Sequence, residues 1–277
     1  MTAAKKKRTP FRGVTRAFRR FERISNRTKD LLKAGLTGLE QEREKIDEVL
    51  KKFSAVKGTP GRRAKDYVPT VRSQRTHDGQ QEFELDVRSA QLIKNALAFN
   101  IAHVEALRFH LYSILAVSIW GAFETYVVMM LEELYRKRPE ILKSNEQVSV
   151  KDTFDHREDI LSFLIERQLG IVGHWKLADV LDYLDKRIGF QPTAVFANQL
   201  PTYYLIRNIF AHNSGVVRPA LRKSVPASIK VVDEELRVTK AFLLTMLRDI
   251  GRAVAAIERH VARKFYVAQF EKPQVAS

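Results

Sequence analysis

The stretch SILAVSIWGAFETYVVMML (Ser113–Leu131) decides the fold class of this chain. It has the length and apolar composition of a membrane-spanning helix. Glu124 lies near its middle, however, where an ionised side chain costs about 2.5–3.5 kcal/mol on insertion into a membrane. The chain has no second apolar stretch of this kind. The stretch therefore predicts the central helix of a soluble bundle, buried on nearly all sides, and no association with a membrane.

The composition also favours a helical protein with a substantial core. The chain has 277 residues, of which 45% are hydrophobic, so global disorder is not expected. It contains only 12 Gly and 9 Pro, and long stretches without either residue favour helices. The absence of Cys excludes disulfides and Cys-based metal sites, and it fits a reducing cytoplasm. These features predict an all-α fold and a cytoplasmic location.

Residues 1–80 are predicted to be a basic helical extension and linker. The stretch TPFRGVTRAFRRFERI (Thr9–Ile24) places aromatic and aliphatic residues three or four positions apart, which predicts an amphipathic helix. A second helix follows, with an apolar seam from Leu32 to Phe53 that Arg43 interrupts. Residues 57–81 are rich in Gly, Pro and charge and mark a domain boundary, and the turn signal at Asp78–Gly79 indicates a small hairpin.

The main domain is predicted to span residues 81–265, followed by a tail at 266–277. Its first helix covers residues 83–99, and the central helix runs from about Val104 to Arg138, where Pro139 ends it. Two further amphipathic helices are predicted, at residues 155–169 and 176–188, with Gly170, Gly173 and Gly189 as breaks.

A small β-hairpin around Asp233–Glu234 is predicted to precede the last helix. The last helix has the most regular apolar pattern, with residues that step by four and three: Leu243, Leu247, Ile250, Val254, Ile257 and Val261. One face of this helix must be buried, either in the core or against a second copy of the chain.

Positive charge is concentrated near the amino terminus. The formal net charge is +16, and residues 1–30 account for +9, from eleven Lys or Arg against Glu22 and Asp30. Such an excess indicates a polyanionic partner, with nucleic acid expected ahead of anionic lipid; a solubilising tail is the alternative. The amphipathic helix could lie along a phosphate backbone or on a membrane surface, or it could pack its Phe stripe on the main domain. The predicted RNA-binding residues are Lys5, Lys6, Lys7, Arg8, Arg12, Arg16, Arg19 and Arg20.

The stretch RNIFAHNSGVV (Arg207–Val217) concentrates polar groups at the end of an apolar helix. Asn208 and His212 lie about 40° apart on one helical face, close enough to act together. Arg207 and His212 are about 140° apart. They converge only if the Arg stem bends across, if the helix ends at His212, or if a second chain completes the site. Gly215 is suited to a left-handed cap, so His212 is expected in the last turn, half exposed. The three side chains form either a satisfied polar seam or a chemical site.

The signatures of several large enzyme classes are absent. The sequence contains no GxxxxGK[ST], no GxGxxG after a strand, no HExxH and no GxSxG. The histidines outside the motif are scattered, and the pair His103 and His110 predicts packing rather than metal binding. We therefore expect neither a metal site nor a cofactor.

The stretch RNIFAHNSGVV resembles the Arg-Asn-x-x-x-His signature of the HEPN superfamily, helical bundles that include many metal-independent ribonucleases. The resemblance covers roughly residues 82–265. The stretch SIWGAFETYVVMMLEELY (Ser118–Tyr135) is similar to the long helix of prokaryotic HEPN proteins, in which a polar residue faces the motif. The predicted hairpin and the helix after it also fit. Residues 1–80 have no counterpart in the family.

The resemblance implies an endoribonuclease in which Arg207, Asn208 and His212 are catalytic. His212 would take the proton of a ribose 2′-OH or protonate the leaving 5′-oxygen, a task for which imidazole is suited. Arg207 would bind the scissile phosphate, and Asn208 would orient His212 or the phosphate. Glu124 and Asn213 would support them, although Glu124 could equally be a carboxylate that only pairs with a neighbouring Arg. The product would be a 2′,3′-cyclic phosphate.

The resemblance also implies RNA as a partner, a homodimer with facing motif helices, and a role in toxin–antitoxin or antiviral defence systems. An antitoxin or another defence-system protein would then be a further partner. Two alternatives stay open. The chain could be a HEPN-type module that binds RNA or a nucleotide without cutting it, or a structural helical dimer in which the motif only ends a helix.

Overall fold

The structure is a computed structural model that describes residues 13–54, 71–77, 80–85, 87–142, 148–227 and 229–266. Its backbone is mostly helical, and the described strands form two small antiparallel hairpins, which confirms the all-α class. The chain divides into two compact units, one made of residues 1–30 and 112–277 and the other of residues 31–111. The proposed boundaries at residues 80 and 265 stay predictions.

The unit of residues 31–111 is built from the second part of helix α1 (Arg16–Ser54), strands β1 (Val71–His77) and β2 (Gln80–Leu85), and the first part of α2 (Val87–Lys137). β1 and β2 pair on either side of residues 78–79, which confirms the hairpin predicted from the Asp-Gly signal.

In this unit, the face of α1 that carries the apolar seam makes both polar and apolar contacts. Leu32, Leu36 and Ile46 are buried. Arg43, which interrupts the apolar pattern, pairs with Glu105 of α2 and with Asp47 one turn further along α1. The predicted seam is therefore used for local packing within the chain.

Three helix boundaries in α1 and α2 differ from the sequence expectation. The two amino-terminal helices are one helix of 39 residues; Ser25, Asn26 and Arg27 are no helix breakers, and the Thr28 hydroxyl donates back to the Ile24 carbonyl at 2.9 Å. The helix predicted to begin at Phe83 begins at Val87, because residues 83–85 pair with β1 as a strand. The helices predicted at 83–99 and 104–138 are likewise one continuous helix.

The larger unit is organised around the second part of α2. Trp120, Phe123, Met130, Leu134 and Tyr135 are at most 2% exposed. By length and composition α2 could cross a membrane, and 56% of its apolar window is buried inside the protein. That burial is the behaviour of a helix in the core of a bundle.

Four helices follow α2 and its short 3-10 turn at Pro139–Ile141. Pro139 ends α2 as predicted. The bounds are α3 Val150–Asp155, α4 Ile160–Gly173, α5 Leu177–Ile188 and α6 Ala194–Asn198. Gly189 adopts a left-handed φ of 68° at the end of α5, as expected of a helix-ending Gly. Gly170 does not end a helix, because α4 continues to Gly173.

The carboxyl-terminal part contains α7 (Leu200–Asn213), α8 (Pro219–Arg222), strands β3 (Lys230–Val232) and β4 (Glu235–Arg237), and α9 (Lys240–Val261). Helix α9 continues into a short π-helix at Ala262–Tyr266. Asp233 and Glu234 both have positive φ angles, 49° and 64°, as a two-residue hairpin turn requires. The predicted hairpin is thus confirmed. The apolar face of α9 is buried in the core of this unit rather than left for a second copy: Leu243, Leu247, Ile250, Val254, Ile257 and Val261.

The start of α1 is anchored by a carboxylate from α9. Glu258 is fully buried and accepts four hydrogen bonds. Its Oε1 accepts from the backbone N–H groups of Val14 and Thr15 at 2.8 and 2.7 Å. Its Oε2 accepts from the Thr15 hydroxyl at 2.9 Å and from the Tyr126 hydroxyl at 3.0 Å. Both oxygens are therefore saturated by donors from α2 and the start of α1.

Glu133 of α2 completes this anchor. Its carboxylate accepts from the N–H groups of Arg16 and Ala17 at 3.1 and 2.8 Å, and the Thr15 hydroxyl accepts from the Phe18 N–H at 3.0 Å. The first N–H groups of a helix have no partner within the helix, and carboxylates are favoured at this end. Phe18 and Phe21 are 5% exposed, so the Phe stripe packs within the larger unit. We call Glu258, Glu133, Thr15 and Tyr126 the α1 anchor.

Candidate functional site

Helix α7 carries the motif, and its sequence explains both of its ends. Pro201 stands in the first turn, where its missing N–H is not needed. Leu200, Tyr203, Ile206 and Ile209 are buried, and they recur every three positions, so the polar side chains fall on the remaining face. Tyr203 also donates its hydroxyl to Asp249 of α9 at 2.9 Å. Burial raises the pKa of Tyr203, and the bond to Asp249 raises it further, so the hydroxyl keeps its proton.

The carboxyl end of α7 is fixed by the β3–β4 hairpin. Ser214 and Gly215 have φ angles of 52° and 89°, and the Gly215 N–H donates to the Ile209 carbonyl at 3.1 Å. The Gly215 carbonyl accepts from the Leu236 N–H at 2.9 Å, and the Val217 N–H donates to the Glu234 carbonyl at 2.7 Å. The left-handed cap predicted at Gly215 is present, with Ser214 as its first residue.

Arg207 lies between a carboxylate and an amide. Its Nη2 donates to Glu124 Oε2 at 3.1 Å, and its Nη1 donates to Asn208 Oδ1 at 2.9 Å. A guanidinium has five N–H donors in a planar fork. Two are used here, and Arg207 Nε is buried without a partner among the described residues. The side chain is 24% exposed, so Arg207 keeps donor capacity beyond its present bonds.

Glu124 is held from two sides. Its second oxygen, Oε1, accepts from the Trp120 indole N–H at 2.8 Å. Trp120 lies one turn earlier on α2 and stacks at a tilt on Tyr204 of α7, with ring centroids 5.5 Å apart. The Glu124 side chain is nevertheless 40% exposed. The carboxylate therefore has a fixed position and still reaches solvent.

A small cavity of about 30 Å³ adjoins the side chains of Trp120 and Glu124. Trp175 and Tyr204 are among the other residues that line it. A water molecule needs at least about 10–15 Å³ measured in this way and two or more polar partners. The cavity therefore has room for water beside the Glu124 carboxylate and is far smaller than the sites that bind drug-sized ligands.

The structure brings three of the predicted site residues together and leaves two apart. Arg207, Asn208 and Glu124 form one hydrogen-bonded group, which we call the Arg207 cluster. His212 is exposed in the last turn of α7, and its side chain makes no hydrogen bond or ion pair within the described parts of the chain. The Asn213 carbonyl accepts from the Val216 N–H at 2.8 Å, so Asn213 contributes to the helix end.

The angular separation of Arg207 and His212 persists in the single chain. The Arg207 stem bends toward Glu124 rather than across to His212, and α7 continues through Asn213. Two of the three ways in which these side chains could meet are therefore not used.

The predicted RNA-binding residues fall into two groups. Arg16, Arg19 and Arg20 are exposed on the start of α1, opposite the buried Phe18 and Phe21. The others lie outside the described residues: Lys5, Lys6, Lys7, Arg8 and Arg12.

Trp120 and Tyr204 are site residues that the sequence reasoning missed. Trp120 lies four positions before Glu124, the spacing that places two side chains on one helical face. Because an indole N–H can only donate a hydrogen bond, a carboxylate one turn away in the sequence indicates the acceptor for it. Nothing in the local sequence indicates the contact between Trp120 and Tyr204, because it joins two helices.

Among the described residues, no group of three His, Asp or Glu side chains is arranged to hold a metal ion. No protein-family model matches the chain, and comparisons with curated proteins and with solved structures found no match.

Proposed function

We propose that this protein is a metal-independent endoribonuclease of the HEPN type. The observation that carries the proposal is the arrangement at the end of α7. Arg207 there is partly exposed, keeps unused N–H donors and pairs with the Glu124 carboxylate. His212 lies exposed in the last turn, without a hydrogen-bond partner among the described residues. These are the two groups that phosphodiester cleavage needs, a cation for the phosphate and an imidazole for proton transfer.

The proposed reaction is an intramolecular transfer. The ribose 2′-oxygen attacks the adjacent phosphorus as its proton passes to a His212 imidazole, and the bond from phosphorus to the 5′-oxygen breaks as that oxygen takes a proton from solvent water. The products are a 2′,3′-cyclic phosphate and a free 5′-hydroxyl. Arg207 stabilises the charge that develops on the phosphoryl oxygens. Asn208 and Glu124 position Arg207 through the bonds described above.

We propose a HEPN-like bundle as the architecture. The support is the order of elements in the larger unit: the buried helix α2, the motif helix α7, a short hairpin and a buried last helix. Glu124 of α2 faces the motif arginine, which is the relation that the resemblance implies.

We propose that the active form is a homodimer. Because Arg207 and His212 do not meet within one chain, a second chain with its α7 opposite the first would bring a His212 toward the Arg207 of its partner. The dimer is tested by the molar mass in solution and by mixing two inactive variants, Arg207→Ala and His212→Ala, which should restore activity in mixed dimers.

The proposed setting is a toxin–antitoxin or phage-defence system in the cytoplasm, with an antitoxin or another defence protein as a further partner. The support is the combination of a cleavage chemistry with the basic residues of the chain, because broad RNA binding is electrostatic and independent of sequence. Expression should then be toxic, and His212→Ala should relieve the toxicity.

The decisive experiment is RNA cleavage in EDTA by purified wild-type protein and by His212→Ala. Loss of an acid–base group typically lowers the rate by about 10²–10⁴-fold, and we expect a loss in that range with 2′,3′-cyclic phosphate as the wild-type end group. His174→Ala is the matched control, because His174 is also exposed and lies outside the motif. Equal cleavage by wild type and His212→Ala would remove His212 from the site.

The second candidate is a module that binds RNA or a nucleotide without cutting it. The observation in its favour is the Arg207–Glu124 ion pair, with no contact between His212 and the pair. Phosphate binding needs donors and no proton transfer. This candidate predicts that neither wild type nor His212→Ala cleaves RNA, and that His212→Ala keeps the wild-type affinity.

A further inference from the structure

A second polar cleft lies between the end of α5 and the last turns of α9. Its volume is about 380 Å³, within the range of small-molecule sites. The residues that line it include Phe190, Gln191, Thr193, Arg259, His260 and Arg263. None of them belongs to the Arg207 cluster, and the proposed cleavage chemistry uses none of them.

The cleft is cationic. Arg259 and Arg263 are four positions apart across the end of α9, and both are exposed. Within the described residues neither makes an ion pair, and no Asp or Glu is among the residues that line the cleft. Residues four apart on a helix are neighbours on one face, so two guanidinium groups are available to the same ligand.

Beside the cleft, two side-chain donors offset a repulsion that a bound anion would otherwise meet. The last carbonyls of a helix carry partial negative charge, and the Ile188 carbonyl stands at the end of α5. His260 Nε2 donates to this carbonyl at 2.8 Å, and Lys264 Nζ donates at 2.7 Å. A Cβ atom at residue 189 would lie 3.0 Å from Lys264 Nζ, so Gly189 leaves room for this approach.

We propose that this cleft binds a phosphate group of a nucleotide, either in an RNA strand or in a free nucleotide. Two arginine forks match the several oxygens of a phosphate. The exposed side chains of Gln191 and Thr193 add an amide and a hydroxyl as neutral donors. The proposal does not depend on cleavage, because it concerns residues of α9 and of the segment after α5.

The test measures two probes on the full chain at several salt concentrations. One is a fluorescein-labelled 2′-O-methyl oligoribonucleotide, which cannot undergo 2′-OH attack, and the other is a fluorescent derivative of ADP. The variant is Arg259→Gln with Arg263→Gln. If RNA is the ligand, we expect an affinity loss of about tenfold or more and a salt slope smaller by about 0.7, since both arginines contact one phosphate of the single strand.

A charge-matched control separates the cleft from general electrostatics. The variant Lys151→Gln with Arg157→Gln removes the same charge at exposed positions outside the cleft, and it should keep nearly the wild-type affinity and slope. The variant Arg259→Lys with Arg263→Lys keeps the charge and loses the forks, so it should bind with intermediate affinity. The melting temperature of each variant shows that the fold is intact.

Each outcome decides the proposal. A selective loss of RNA binding identifies a strand as the source of the phosphate, and a selective loss of ADP binding identifies a free nucleotide. Unchanged binding of both probes in the Arg259 and Arg263 variant overturns the proposal. So does a loss no larger than that of the charge-matched control.

Discussion

The α1 anchor and the Arg207 cluster both contain a glutamate carboxylate, but the two carboxylates serve different purposes. Each is centred on a carboxylate that joins α2 to another helix of the larger unit. Glu258 is fully buried and accepts four hydrogen bonds from neutral donors. The Glu124 side chain is 40% exposed and shares a cation whose Nε remains without a described partner.

The difference separates a structural polar group from one with capacity for a ligand. Buried polar groups are costly unless their hydrogen bonds are complete, and the α1 anchor meets that condition. The Arg207 cluster is half exposed and its bonds are incomplete, so a phosphate could gain contacts there without breaking the core. The comparison predicts that the first group controls stability and the second controls binding.

The largest expected effect comes from removing the anchor carboxylate. Glu258→Ala leaves the N–H groups of Val14 and Thr15 and the hydroxyl of Tyr126 without their acceptor. Each buried unsatisfied group costs about 1–3 kcal/mol, so we expect the free energy of unfolding to fall by about 4 kcal/mol in urea titrations. The matched control is Glu166→Ala, at an exposed position of α4, which should change it little. A loss below about 1 kcal/mol for Glu258→Ala would contradict a structural role.

Alkaline pH should weaken the anchor by a second route. Burial raises the pKa of Tyr126 well above 10, and the neighbouring Glu258 raises it further. A group whose pKa is raised on folding contributes stability that is present below its unfolded pKa and is lost as the pH climbs toward its folded pKa. Above about pH 10 the loss approaches about 1.4 kcal/mol per pH unit for each such tyrosine.

The measurement is urea unfolding between pH 9 and pH 11, with Tyr126→Phe as the control. Burial also raises the pKa of Tyr266, to about 12, so the variant should retain part of the dependence. The variant should nevertheless lose stability less steeply than wild type. Identical slopes would show that Tyr126 does not carry the effect.

The smallest expected change in stability comes from the Arg207 cluster. Glu124→Gln keeps the shape of the side chain and removes an ion pair that is partly exposed, and such pairs contribute about 0–1 kcal/mol. We expect the free energy of unfolding to fall by less than about 1 kcal/mol. RNA affinity at low salt should rise, because a negative charge beside the phosphate is gone. A large loss of stability with unchanged RNA affinity would show that the Arg207 cluster is a structural group like the α1 anchor. It would contradict the distinction between the two.

Local patterns predicted much of the larger unit. The apolar spacing of α9, the turn at Asp233–Glu234 and the end of α7 after His212 each depend on neighbours within a few residues, and the sequence displays those neighbours directly. Glu124 was expected to support the motif only because its helix resembles the long helix of HEPN proteins, in which a polar residue faces the motif.

The rest depends on residues that are distant along the chain. Glu258 meets Val14 across 244 positions, and Glu133 meets Ala17 across 116, and no local pattern specifies such pairs. The hairpin at residues 71–85 overrode the helical pattern from Phe83 because strand pairing supplies backbone partners that periodicity does not reveal. The continuous α1 was missed because the change of apolar pattern near Thr28 resembled a boundary.

The bonds between the β3–β4 hairpin and the end of α7 have a consequence for folding cooperativity. Strands of three residues are too short to persist alone, and the end of a helix frays unless its last carbonyls are satisfied. Backbone hydrogen bonds of Gly215 and Val217 connect the β3–β4 hairpin to the end of α7. We therefore expect the hairpin and the helix end to open and close as one local unit. The order of the backbone around His212 is therefore set in part by Asp233 and Glu234, at a turn that lies outside the motif.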